Sequence, residues 1–139
     1  KKEVRAAIHI PESVQKWEIC NDAVNTNYGR KYTDMANTYK ALMNKYPDLR
    51  MLIYNGDTDM ACNFLGDQWF LADLKLQELK SHAPWYVKGQ VAGFAREFKQ
   101  LIYTTIRGAG HMVPQWAPEY AYVMFEKFLN NEHFVGDGK

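Results

Sequence analysis

Met51–Asn63 reads MLIYNGDTDMACN, and the rest of the chain can be placed around it. Met51 to Tyr54 is an apolar run without polar alternation, the pattern of a strand buried on both faces. Asn55-Gly56 breaks the run, because glycine accepts backbone angles that other residues avoid. Asp57 and Asp59 follow at once, with a thiol at Cys62. Open α/β sheets place their chemistry just past the C-terminal ends of buried strands. Either carboxylate suits such a position, and either equally suits a turn or a helix cap.

A length of 139 residues allows one core but not two domains. Hydrophobic residues make up 47% and charged residues 24%, as in an ordinary globular protein. The net charge of +1 gives no excess that would draw nucleic acid or an anionic membrane surface. No apolar run approaches the roughly 20 residues needed to span a bilayer. The chain opens at Lys1-Lys2, with neither an initiator methionine nor a signal-peptide core, which suggests a proteolytic product. Cys20 and Cys62 are too few for a disulfide framework; they could pair, stay free or reach another chain.

Residues 3–9 read as a short helix stopped by Pro11. Trp17 and Cys20 are the expected anchors of a mixed segment, and 21–30 reads as polar loop. Tyr32, Met35, Ala36, Tyr39, Leu42, Met43 and Tyr46 form one apolar stripe at helical spacing, ended by Pro47. Residues 63–79 suggest a second helix with Leu65, Trp69, Ala72 and Leu76 along one face, followed by a connector over 81–85. The runs 91–98 and 101–106 are spaced as an antiparallel hairpin. Residues 117–130 form an amphipathic helix with Ala121, Met124, Phe125 and Phe128 inward and Pro118 in its first turn. The tail over 132–139 is expected to fray.

GAGHMVP, residues 108–114, repeats the arrangement seen at Asp59: a strand ends, glycines turn the chain, and His111 is presented at the rim. An acid after one strand and a histidine after a later one are the second and third members of an α/β-hydrolase triad. Serine is a weak nucleophile unless a base removes its proton, and the acid orients that base. The first member is missing here, since the serines are Ser13 and Ser81 and neither lies in a G-x-S-x-G elbow. Asp57, Asp59, Cys62 and His111 are metal-ligating types without a recurrent ligand spacing, and no metal is expected. His9, His82 and His133 fall in no motif and are expected at the surface.

VRAAIHIP (4–11), WEIC (17–20), LIYNGDTDMACN (52–63), VAGFAREF (91–98) and IRGAGHMVPQWAP (106–118) resemble, in that order, segments of the serine carboxypeptidases. With the helices between them, the resemblance covers nearly the whole chain. It implies the C-terminal portion of an α/β-hydrolase fold, completed by a separate large chain that carries the serine in a G-E-S-Y-A-G elbow. Within one domain spanning 1–139, residues 1–50 would belong to the cap or helical region and 51–131 to the last core strands and helices. By resemblance Asp59 is the triad acid, His111 the base and Asp57 a structural residue. Cys62 corresponds to a free thiol near the substrate pocket, and Met112 to a residue on the leaving-group side. Cys20 corresponds to a half-cystine bonded to the large chain, so Cys20 and Cys62 would not pair. The implied activity is release of C-terminal amino acids from peptides through an acyl-enzyme, without a cofactor. Its setting would be a lysosomal or other acidic secretory compartment, or outside the cell, with a homodimer as an assembly to test. The alternative is a vestigial chain acting as a binding or stabilising scaffold. Trp85–Val91, shorter before the hairpin, is where the sequence departs from the family pattern.

Overall fold

The computed structural model describes residues 1–136, which fall into two compact units, Lys1–Thr33 and a second beginning at Asp34. The first unit holds α1 (Lys2–Ala7) and α2 (Asp22–Asn27), and none of its residues is buried. α1 ends well before Pro11: His9 takes a left-handed conformation at φ 58°, and the Ile10 N–H closes onto the Arg5 carbonyl at 2.9 Å. Residues 21–30 are not all loop. Asn21 accepts from the Val24 N–H at 3.0 Å, an N-cap that starts α2. Trp17 does not anchor its segment within this unit, since it is 77% exposed, and Cys20 is also exposed.

The second unit contains α3 (Ala36–Lys45), β1 (Met51–Gly56), α4 (Phe64–Leu74), β2 (Glu78–Val87), β3 (Gln90–Phe98), β4 (Leu101–Ile106), α5 (Val113–Trp116) and α6 (Pro118–Leu129). The strands form one sheet in the order β1-β4-β3-β2. β1 pairs with β4 in parallel, while β2–β3 and β3–β4 are antiparallel. One core cluster joins Trp85, Ala95, Ile106, Val113, Met124 and Phe134, the other Ala36, Met43, Leu71, Leu74, Leu101 and Tyr103. The alternation of side chains along β4 therefore feeds α5 and α6 on one face and α3 and α4 on the other.

Several expected elements differ. The stripe from Tyr32 begins as helix only at Ala36, where Asp34 Oδ1 accepts the Ala36 N–H at 2.8 Å. α4 stops at Leu74 with Lys75 left-handed at φ 54°, and the expected connector belongs to β2. α4 buries Leu71 and Leu74 and leaves Leu65 and Trp69 at 43% and 69% exposure. Strand pairing with β3 won over helical periodicity for residues 78–79. α6 buries Ala121 and Met124, whereas Phe125 is exposed. β1 extends through Asn55-Gly56 and is not buried on both faces: it is an edge strand among the described residues, with Tyr54 exposed. Beside it an apolar groove of about 600 Å³ is lined by residues including Leu52, Tyr54, Pro118, Phe125 and Phe128.

The tail does not fray as far as it is described. The Glu97 carboxylate, 4% exposed, accepts the N–H groups of Phe134 at 2.7 Å and Val135 at 2.9 Å. His133 Nδ1 lies 2.6 Å from its other oxygen, and Lys80 Nζ donates to the Val135 carbonyl at 2.6 Å. Phe134 is then driven edge-on against Trp85, centroids 5.5 Å apart. His133 and His82 are exposed as expected, His133 beside the buried Glu97 and His82 stacked on Phe94. Residues 137–139 of the expected frayed tail lie outside the described residues.

Burial pushes the Glu97 carboxyl up, but the Val135 N–H, His133 and the Phe134 N–H outweigh it and hold the group below its ordinary value. A depressed carboxylate stabilises the fold above its unfolded value and loses that contribution as pH falls through its folded one. Glu97→Ala should cost about 1–3 kcal/mol at neutral pH by stranding two inward N–H donors. Amide exchange of Phe134 and Val135 should rise to near the rate of open chain, and the difference from wild type should narrow in strong acid.

Candidate active site

β1 and β4 run parallel and in register, with Gly56 opposite Ile106, so the turns that follow them emerge side by side. The Asp57 N–H continues the ladder to the Ile106 carbonyl at 3.1 Å. Thr58 binds the Ala109 carbonyl twice, through its N–H at 3.0 Å and its hydroxyl at 2.8 Å. This close approach requires glycine at 56: a Cβ there would stand 2.2 Å from the Ala109 oxygen. The second turn uses Gly108 at φ +70°, a left-handed conformation that a side chain would strain.

The geometry separates the two acids. Asp57 Oδ1 accepts the Gly108 N–H at 2.7 Å and so ties one turn to the other. Asp59 is 7% exposed, and its Oδ1 accepts the N–H groups of Ala61 at 2.8 Å and Cys62 at 3.0 Å. Its Oδ2 lies 2.9 Å from His111 Nδ1. The Cys62 N–H and the His111 ring together hold the Asp59 carboxyl below the ordinary carboxylate value against the opposing pull of burial. An ionised carboxylate only accepts, so Nδ1 carries a proton, and in the neutral imidazole the lone pair is then on Nε2. The His111 side chain is 61% exposed against 5% for Asp59. A buried carboxylate thus holds an exposed imidazole.

Met112, the residue after His111, is 53% exposed at the start of α5. Cys62 is exposed and free, and its sulfur lies within 4.8 Å of the ligand atoms of Asp59 and His111. As a metal site this trio is poor, because both Asp59 oxygens already accept hydrogen bonds and Nδ1–H is a donor. Cys20 belongs to the first unit, where it is an exposed free thiol. Sequence reasoning passed over Thr58 and Asn55, both of which hold the turns; the signal at Asn55 is a lone amide in an apolar strand.

A mixed α/β sheet with an acid and a histidine at the ends of neighbouring parallel strands is part of an α/β-hydrolase fold. The family model described as serine carboxypeptidase matches residues 1–131, and the chain belongs to that family. It is 46% identical over 138 residues to the lysosomal protective protein (cathepsin A) of Mus musculus, covering 94% of this chain and 28% of that protein. A serine carboxypeptidase of Caenorhabditis elegans is 34% identical over 96% of this chain and 30% of its own length. A serine carboxypeptidase-like protein of Arabidopsis thaliana is 32% identical over 92% of this chain and 27% of its own length. The chain therefore spans less than a third of the relatives it matches.

Asp57→Ala removes the acceptor that fastens Gly108, and should lower stability by about 1–3 kcal/mol. Asp57→Asn keeps an acceptor oxygen and should lose less. Thermal unfolding of the two variants beside wild type checks the order.

Proposed function

We propose that this chain supplies the acid and the base of a Ser-His-Asp triad whose serine lies elsewhere in the protein. The observation that carries the reading is the 2.9 Å contact between buried Asp59 and exposed His111 at the ends of adjacent parallel strands. His111 Nε2 would take the serine proton as the oxygen attacks a peptide carbonyl. The resulting imidazolium, stabilised by Asp59, would return that proton to the leaving amino acid. Water would then use the same base to release the acyl group and restore the serine.

Its relatives are named serine carboxypeptidases, which supports hydrolysis at the C-terminus of peptides. The serine, the oxyanion donors and the recognition of the terminal carboxylate would come from the two-thirds of the protein that this chain does not span. We place that remainder on a separate large chain, joined through exposed Cys20. In this reading residues 1–50 belong to the cap or helical region and 51–131 close the core. Two features support a missing neighbour: β1 has an open edge beside an apolar groove, and the first unit has no buried residue of its own. Exposed Met112 and Cys62 would border the substrate. The name of the mouse relative supports a lysosomal setting, and the depressed Asp59 carboxyl keeps its charge to lower pH than an ordinary one.

In the full-length protein, Asp59→Asn should lower kcat by about 10⁴-fold, because the amide fixes the wrong imidazole tautomer. Hydrolysis of a blocked dipeptide measures this. A rate within a few-fold of wild type would reject Asp59 as the orienting acid.

A further inference from the structure

Asn55 is the next-to-last residue of β1 and is 6% exposed, an unfavourable place for an amide. Asparagine is depleted in strands, and burying an amide costs free energy unless it is hydrogen-bonded. Its Nδ2 donates to the Cys62 carbonyl at 3.2 Å, while its Oδ1 has no partner among the described residues. The bond to Cys62 alone therefore sets its orientation. The opposite orientation would press Oδ1 against the Cys62 oxygen.

Cys62 also donates its own N–H, from the preceding peptide group, to Asp59 Oδ1 at 3.0 Å. Cys62 is thus held on both sides through two successive peptide groups, its carbonyl by Asn55 and its N–H against Asp59. Residues 60–62 are otherwise exposed, with Met60 at 94%, and no other hydrogen bond among the described residues ties them to the sheet. We infer that Asn55 is a positioning residue for the Asp59–His111 pair, bracing through Cys62 the turn that aims the Asp59 carboxylate. Without the Asn55 N–H, the peptide group after Cys62 can rotate, Cys62 can carry its own N–H away from Asp59, and Oδ2 is no longer aimed at Nδ1. The inference rests on the reading that Asp59 orients His111 during turnover.

The test uses the full-length protein with Asn55→Leu, which fills the site with an apolar side chain of similar size, and Asn55→Asp, which keeps the shape but cannot donate. Both should fold, with kcat lowered about 10–100-fold and KM little changed, the loss expected from a small misplacement of reacting groups. The low-field Nδ1 proton of His111, followed by NMR, should broaden or move in both. A folded Asn55→Leu protein with wild-type kcat would overturn the inference. So would a lower kcat with that proton unmoved. If Asp59→Asn itself turned over normally, the triad reading would fall. The low-field proton would then decide the brace by itself: lost in Asn55→Leu the brace stands, retained it fails.

Discussion

The parallel pairing of β1 with β4 is the constraint on which the rest depends. Parallel neighbours end on the same side of a sheet, and here their last residues, Gly56 and Ile106, stand opposite each other. Two turns far apart in sequence are thereby set side by side, one carrying Asp59 and the other His111. The bonds from Asp57 to Gly108 and from Thr58 to Ala109 turn this proximity into a fixed geometry. Antiparallel pairing of the same strands would send acid and base to opposite ends of the sheet.

Burial then gives the two groups different roles. Asp59 is enclosed and receives three donors, which keep it ionised and unable to rotate freely. His111 stands mostly in the open, and only its Nδ1 is engaged by Asp59. The Glu97–His133 pair has the same chemistry and another use. There the acid also accepts two backbone N–H groups of the chain it holds, and the imidazole fastens a tail. A carboxylate–imidazole contact therefore defines no active site by itself; Asp59 and His111 differ in following two neighbouring parallel strands, whereas Glu97 lies within β3 and His133 in the tail.

Both turns of the site were legible because their signals are local: an apolar run, a glycine, then a titratable residue. Choosing between Asp57 and Asp59 was not, since the choice depends on which acid faces Gly108 and which faces His111. The 63–79 segment reads as one helix because Leu76 continues the spacing of Leu65, Trp69 and Ala72, yet Lys75 turns left-handed and Leu79 joins the sheet. That outcome depends on β3, which no local window contains. The tail was misread for the same reason, as its anchor Glu97 lies 37 residues before Phe134. Apolar stripes also misled where the described chain leaves them uncovered, at Trp69 and Phe125.

The most direct test of the account is labelling of the full-length protein with a serine-directed phosphonate, followed by mapping of the modified residue, in wild type and in His111→Ala. The account predicts label on a serine outside these 139 residues in wild type, and loss of labelling in the variant. Label on Ser13 or Ser81, or labelling that persists without His111, would contradict it.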